Sequence, residues 1–319
     1  MTSLATDAGA GAEEAFRHEA FLYRDLDEFA AGTTAFVREG LEADESVLVA
    51  LPPAGLHRLK DELDADADYV GFLDMHELGA NPARIIPAWL SFTQEQVASG
   101  RGFRGIGEPL WVGRPESELA ECHLHERLLN AAFDGGPAWR LLCPYDTGQL
   151  PPSEVAGALL SHPVWSGVGT QAASPGYESH HGAQAAFAQP LPAPPTGAVD
   201  RAFGVGDLVE IREEVARFAR SHGVAEPRVE ELVLAASELA TNSVRYGGGR
   251  GLLERWREPE AIVVSFSDRG RITDMLAGRR HPSLAREGGR GLFLVNQLCD
   301  FVQVRSSREG TVVRVTTRL

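Results

Sequence analysis

The chain has 319 residues, 43% of them hydrophobic, and a formal charge of −15. That length suits two domains of ordinary size, each able to bury its own core. The charge is lopsided: residues 1–199 hold 28 acids against 11 Lys or Arg, and residues 200–319 hold 17 acids against 19 Arg, so the first part repels nucleic acid and the near-neutral second part can accept a polyphosphate.

Residues 1–15, rich in Ala, Gly, Thr and acids, read as a disordered tail. Residues 16–166 alternate helices with short apolar runs. Leu26–Leu41 reads as an amphipathic helix, Ser46–Leu51 as a buried strand and Val70–Leu73 as a weaker one. Ala83–Ser99 is a helix with Ile86, Trp89, Leu90 and Val97 inward, and Phe103–Ile106 is strand-like. Glu116–Phe133 is a long helix and Trp139–Tyr145 another buried strand. Strands separated by helices predict a parallel α/β sheet. Residues 167–199 turn to Gly, Ala, Ser and Gln, punctuated by Pro175, Pro190, Pro192, Pro194 and Pro195. They read as a linker, with a surface loop as the alternative.

The pattern restarts over residues 200–319. A helix over Leu208–His222, capped by Asp207, points Ile211, Val215 and Phe218 inward. A second over Pro227–Tyr246 sets Val229, Leu232, Val233, Ala236 and Ala240 at helical spacing. Gly247–Gly249 ends it. Strands are expected at Gly251–Trp256, Ile262–Ser267, Val302–Ser306 and Thr311–Thr317. The last two are joined by a tight turn, and a helix over Gly291–Leu298 precedes them. This is an α+β arrangement of helices layered on antiparallel strands.

Four features in the second part carry chemistry. Glu238 and Asn242 are four residues apart, which puts a carboxylate and an amide side by side on one helix face. The carboxylate can take a proton from a hydroxyl, and the amide oxygen suits magnesium. Taken alone, each also reads as a solvated helix side chain. Asp268 ends a strand on the same side as Val264 and Phe266 and can accept a hydrogen bond from the amine of adenine; it also reads as a turn-initiating Asp, with Gly270 allowing close approach of backbone. Gly288, Gly289 and Gly291 precede a helix whose free N–H groups suit phosphate oxygens, or simply form a loop. Lys60 is the only lysine, so the second half has no P-loop lysine.

In this order and spacing the four features resemble the GHKL (Bergerat) ATP-binding domain, in its branch of RsbW-like anti-sigma serine kinases. Glu238-Leu-Ala-Thr-Asn242 is similar to the N-box, Ser267-Asp268-Arg-Gly270 to the adenine box, and Gly289-Arg290-Gly291-Leu-Phe-Leu-Val to the second glycine box. Gly310-Thr311 is similar to the last nucleotide-contact motif. The resemblance implies ATP and Mg²⁺ as cofactors and Glu238 as general base. It implies Asn242 as metal ligand and Asp268 with Gly270 at adenine. Gly289, Arg290 and Gly291 fall at the phosphates, and Thr311 supports the base pocket. It implies Ser or Thr phosphorylation of an anti-anti-sigma (STAS) partner, or contact with a sigma factor, in regulating transcription. Two departures favour an alternative, a catalytically silent ATP-dependent switch: Ile272 stands where the fuller adenine box has a second glycine, and the lid segment from Arg271 to Glu287 is brief. No dimerisation helix bearing a phosphorylatable His directly precedes this part, whose upstream neighbour is the proline-rich segment, so a histidine autokinase is not expected.

Residues 16–166 resemble the MEDS sensory domain, a RecA-like α/β module. The resemblance lies in Tyr23-Arg24, Asp74-Met75, Asn81-Pro-Ala-Arg-Ile-Ile86, Gly105-Ile-Gly-Glu-Pro109, Cys122-His-Leu-His-Glu126 and Leu142-Cys-Pro-Tyr-Asp146. It implies a parallel sheet with helices on both faces. Pro52-Pro-Ala-Gly55, after Ser46–Leu51, is no P-loop, because proline lacks the N–H that a phosphate needs. Cys122 and His125 share a helix face and Cys143 lies on a strand. This offers a metal reading, although a helix with a partly buried Cys and polar His accounts for them as well. Glu108 and Glu126 are candidates for a polar pocket at strand ends, or for ion pairs with Arg104 or Arg127. Three sparse cysteines exclude a disulfide framework. With no apolar run long enough to cross a bilayer, the expectation is a cytoplasmic regulator that binds neither nucleic acid nor membrane, with a homodimer left open.

Overall fold

A computed structural model describes residues 16–282 and 289–319. The expected N-terminal tail, Gly288 and the second part of the lid segment lie outside the described residues. The chain forms two compact units. One comprises residues up to Glu77 together with Ser91–His180, and the other Leu78–Leu90 together with His181–Leu319.

The elements in chain order are β1 (Phe16–Tyr23), α1 (Leu26–Glu42), β2 (Ser46–Leu51), α2 (Pro53–Leu63), β3 (Val70–Asp74), α3 (Met75–Leu78), α4 (Ile85–Ser99), β4 (Phe103–Gly107), α5 (Glu116–Phe133), β5 (Trp139–Asp146), α6 (Pro152–Ser161), β6 (Val164–Gly167), β7 (Thr170–Ala173) and α7 (His180–Ala188). There follow β8 (Val199–Gly204), α8 (Leu208–Ser221), α9 (Glu226–Tyr246), β9 (Arg250–Glu258), β10 (Ala261–Asp268), α10 (Arg290–Leu298), β11 (Phe301–Ser306) and β12 (Thr311–Arg318).

The first unit is an α/β layer structure. Its sheet runs β3-β2-β4-β5-β1-β6-β7, parallel except for the edge strand β7. Strand alternation sends Phe21, Tyr23 and Leu142 into a core with Phe29, Phe36 and Val37 of α1 and Leu56, Leu59 and Leu63 of α2. The opposite side chains of β1 and β5, among them His18, Cys143 and Tyr145, are buried on the other face. The Asp25 carboxylate starts α1 by accepting the N–H groups of Asp27 and Glu28 at 3.1 and 2.9 Å.

Residues 16–23 carry no strand signal in the sequence, yet β1 lies between β5 and β6. Its Arg17-His-Glu19 run masks the apolar pattern. His18 and Glu19 are buried with partners: Glu19 takes the half-buried Arg17 at 2.9 Å and the Gln171 amide at 3.0 Å. The turn after this true first strand is Arg24-Asp25, and Pro52-Pro-Ala-Gly55 instead opens α2, with Pro53 in its first turn. Neither turn is a phosphate loop. Val97, expected inward, is 54% exposed. The segment read as a linker contains β7 and the nine-residue α7.

The second unit has two layers. An antiparallel sheet, β11-β12-β10-β9-β8, carries α8, α9 and α10, with α9 packed on β9, β10 and β12. Asp207 precedes α8 but gives it no side-chain cap; its carboxylate accepts the Gly204 N–H at 2.7 Å instead. Within this unit Arg84 closes the C-terminal end of α10. Its guanidinium donates to the carbonyls of Asn296, Gln297 and Cys299 at 2.9, 3.0 and 2.7 Å, satisfying acceptors that the helix leaves open. No described helix is long and apolar enough to cross a membrane.

Phe29 is 1% exposed where α1 meets the sheet. Phe29→Ala is expected to cost about 3–5 kcal/mol in urea unfolding, through lost burial and the cavity left behind.

Candidate functional site

The apolar stripe of α9 (Val229, Leu232, Ala236, Leu239, Ala240) is buried under the sheet. Glu238 and Asn242 are thereby left half-buried on its flank, one turn apart. Among the described residues neither side chain makes a hydrogen bond. At the end of β10, Asp268 bends the chain by accepting the Gly270 N–H at 2.7 Å. The hairpin β11–β12 places Ser306 opposite Thr311. The Thr311 hydroxyl donates to the Gly270 carbonyl at 2.9 Å and accepts from Ser306 at 2.8 Å; Ser306 in turn accepts the Ile272 N–H at 2.8 Å. The loop after Asp268 is thus held by two hydroxyls. Sequence reasoning missed Ser306, although the hairpin register held the signal.

Gly310 has φ +142°, and a Cβ there would collide with the Asp268 carbonyl, so only glycine lets β12 start this close to β10. Gly289 begins α10 in the left-handed region at φ +82°. The N–H groups of the first turn of α10 have no partner within the helix. A Cβ on Gly291 would strike the Glu238 carboxylate, so the start of α10 lies directly against α9. The lid segment from Ile272 begins as a packed turn: Leu276 and Arg279 are buried, and Asn296 of α10 donates to the Gly278 carbonyl at 2.9 Å.

All eight residues singled out in the sequence line one cavity of about 420 Å³: Glu238, Asn242, Asp268, Gly270, Gly289, Arg290, Gly291 and Thr311. Phe266 and Val313 supply apolar walls, and Ile272 also lines it. A larger groove of about 740 Å³, beneath residues 190–194, shares Asp268 and Thr311 but neither Glu238 nor Asn242. Only the smaller cavity therefore joins a hard oxygen donor, a carboxylate and a helix N-terminus.

Residues 204–317 match the family model "Histidine kinase-like ATPase domain", and residues 17–163 match "MEDS: MEthanogen/methylotroph, DcmR Sensory domain". The chain carries a MEDS domain followed by a histidine kinase-like ATPase domain. Among solved structures, the chain is similar to the RsbU and RsbW domains of Rv1364c from Mycobacterium tuberculosis. The identity is 17% and the TM-score 0.30, with 39% of this chain and 33% of that chain covered. The likeness thus spans about a third of that chain's length. No curated protein matches the chain significantly.

In the MEDS domain the sequence candidates separate. Cys122 points its thiol at the Pro109 carbonyl, 3.5 Å away, and His123 meets Glu154 at 2.7 Å. Cys122 and His125 do not converge with Cys143; that thiol faces His18 at 3.4 Å. Arg104 pairs with Glu39 and Glu45, and Arg127 with Glu178, so neither meets Glu108 or Glu126. Glu126 lies against His18 and His162 rather than at the strand ends. Glu108 does follow the carboxyl end of β4, beside the ends of β1 and β5, where parallel sheets bind ligands. The Tyr23 hydroxyl donates to it at 3.3 Å.

Burial pushes the Glu108 carboxyl up to about 8, with the nearby Asp146 charge acting the same way and the Tyr23 hydroxyl opposing. The folded state therefore holds this proton more tightly than the unfolded chain does. Its stabilising contribution is complete below the ordinary value of 4.5 and is lost as pH rises to about 8. Glu108→Gln should remove this slope, roughly 1.4 kcal/mol per pH unit within that window, as read from urea midpoints across pH.

Proposed function

We propose that this protein is a cytoplasmic signalling regulator of the anti-sigma type. In this reading its ATPase domain binds ATP with Mg²⁺ and phosphorylates Ser or Thr of an anti-anti-sigma (STAS) partner, under control of the MEDS domain. The observation that carries the reading is the convergence of Glu238, Asn242, Asp268 and the start of α10 on one cavity. The residues fit the cofactor. Asn242 offers an oxygen without a hydrogen bond among the described residues, of the hard type magnesium prefers. Gly289 and Gly291 present free backbone N–H groups to phosphate oxygens. Asp268 lies beside apolar Phe266 and Val313, as a site for a purine requires.

MgATP, when bound, would supply the phosphoryl group. Glu238 would accept the proton of the partner hydroxyl, and Asn242 would hold the cation. Thr311 and Ser306 keep the loop after Asp268 in register, so that Asp268 presents a fixed acceptor to the adenine amine. The anti-sigma class and the STAS partner follow from the resemblance of the four sequence boxes. Ile272 supports a second reading, in which nucleotide binding alone switches partners without transfer.

Labelled ATP with the purified chain and candidate STAS proteins tests both. Wild type is expected to transfer label to partner Ser or Thr, Glu238→Gln to bind MgATP but transfer at least about 100-fold more slowly, and Asn242→Ala to lose magnesium-dependent binding. Binding without transfer by wild type would reject the kinase reading and leave the switch. No thermal shift with saturating MgATP would reject both.

A further inference from the structure

The face of the MEDS sheet turned away from α1 and α2 buries a polar cluster that the nucleotide site does not use. His18 of β1 and Cys143 of β5 lie on this face because Phe21, Tyr23 and Leu142 take the other. Glu126 comes from α5, and His162 from the residue that ends α6. One potential ligand atom from each of the four lies within 4.8 Å of the others. All four side chains are shut off from solvent. The Glu126 oxygen is 3.0 Å from His18 Nε2 and 3.3 Å from His162 Nε2, and the Cys143 sulfur is 3.4 Å from His18 Nε2.

The outer nitrogens decide what these atoms offer. Asn130 donates its amide N–H to the Ser161 carbonyl at 2.7 Å, which turns its oxygen toward His18 Nδ1, 3.2 Å away. That nitrogen must therefore donate. His162 Nδ1 lies 2.8 Å from the Ala158 carbonyl and must donate as well. With both Nδ1 protonated, each neutral ring presents a lone pair at Nε2 toward the Glu126 carboxylate. Among the described residues neither Glu126 oxygen, nor His162 Nε2, has a hydrogen-bond partner. Lone pairs facing a buried carboxylate repel it. One proton would relieve only one of these two contacts, and protonating both rings would press two cations together, with centroids 3.9 Å apart and shut off from solvent. A divalent cation among the four removes the conflict, since a carboxylate and a thiolate balance its charge.

We propose that His18, Glu126, Cys143 and His162 form a closed four-ligand site for one divalent transition metal of the zinc class. Two imidazoles, one thiolate and one carboxylate are the donors such an ion takes in tetrahedral geometry, whose ligand–ligand edges are about 3.3–3.6 Å. Asn130 and the Ala158 carbonyl orient the two rings from outside, as metal-bound histidines require. Binding displaces the Cys143 thiol proton to solvent. The ion ties β1, β5, α5 and α6 together, so metal occupancy would set the stability of this face.

Metal titration of the chelator-treated full chain tests the site. Zinc is expected to bind at one equivalent per chain and raise the melting temperature. Cobalt should give intense tetrahedral d–d bands together with a thiolate-to-cobalt charge-transfer band. Cys143→Ser should abolish the charge-transfer band, and Asn130→Ala, which touches no metal, should weaken zinc binding about 10–100-fold. Wild-type chain that is folded by circular dichroism yet binds neither ion would overturn the proposal. So would unchanged cobalt spectra in folded Cys143→Ser and Glu126→Gln variants.

Discussion

The ATPase domain depends on the direct contact between α9 and the start of α10. Gly291 lies against the Glu238 carboxylate with no room for a side chain between them. That contact brings a helix N-terminus, with its unsatisfied N–H groups, beside a carboxylate and an amide on a second helix. Two arrangements hold it in place. The Arg84 guanidinium closes the far end of α10, and the Asn296 amide ties the last turn of the same helix to the Gly278 carbonyl. The cavity wall at the start of α10 is therefore positioned by anchors at the helix's far end.

The opposite wall is made by backbone rather than by side chains. Gly310 admits β12 against the end of β10, and the Ser306–Thr311 pair then holds the loop after Asp268. A buried hydroxyl left without partners is costly, and here each hydroxyl both donates and accepts. Such a closed chain of hydrogen bonds gives the Asp268 turn one conformation. The MEDS sheet handles polarity differently. It buries Glu108 by keeping its proton, and it buries Glu126 against two histidines and a thiol. These are two distinct solutions to removing a carboxylate from water.

Much of the candidate site was legible without coordinates, because helical spacing and strand alternation are local rules. The i,i+4 relation placed Glu238 and Asn242 together, and period-two alternation placed Asp268 with Phe266. What escaped were features made by distant pairing. Ser306 gained its role only from the hairpin register. Strand β1 was hidden because its charged residues are satisfied by partners far along the chain, Gln171 among them. Cys122 and His125 offered a metal reading beside a plain structural one, since they share a helix turn; the converging donors come instead from β1, α5, β5 and the end of α6.

The sequence by itself determined the two-part organisation, the order of the elements in the second part and the identity of the residues around its cavity. Each of these follows from side-chain periodicity and glycine placement within a short stretch. Tertiary structure alone decided that a polar segment would become a central strand, that residues 78–90 would join the second compact unit, and that His18 and His162 would meet Glu126. Those outcomes depend on which segments lie side by side after folding. Residues more than a hundred positions apart become neighbours through sheet order, which no local pattern encodes.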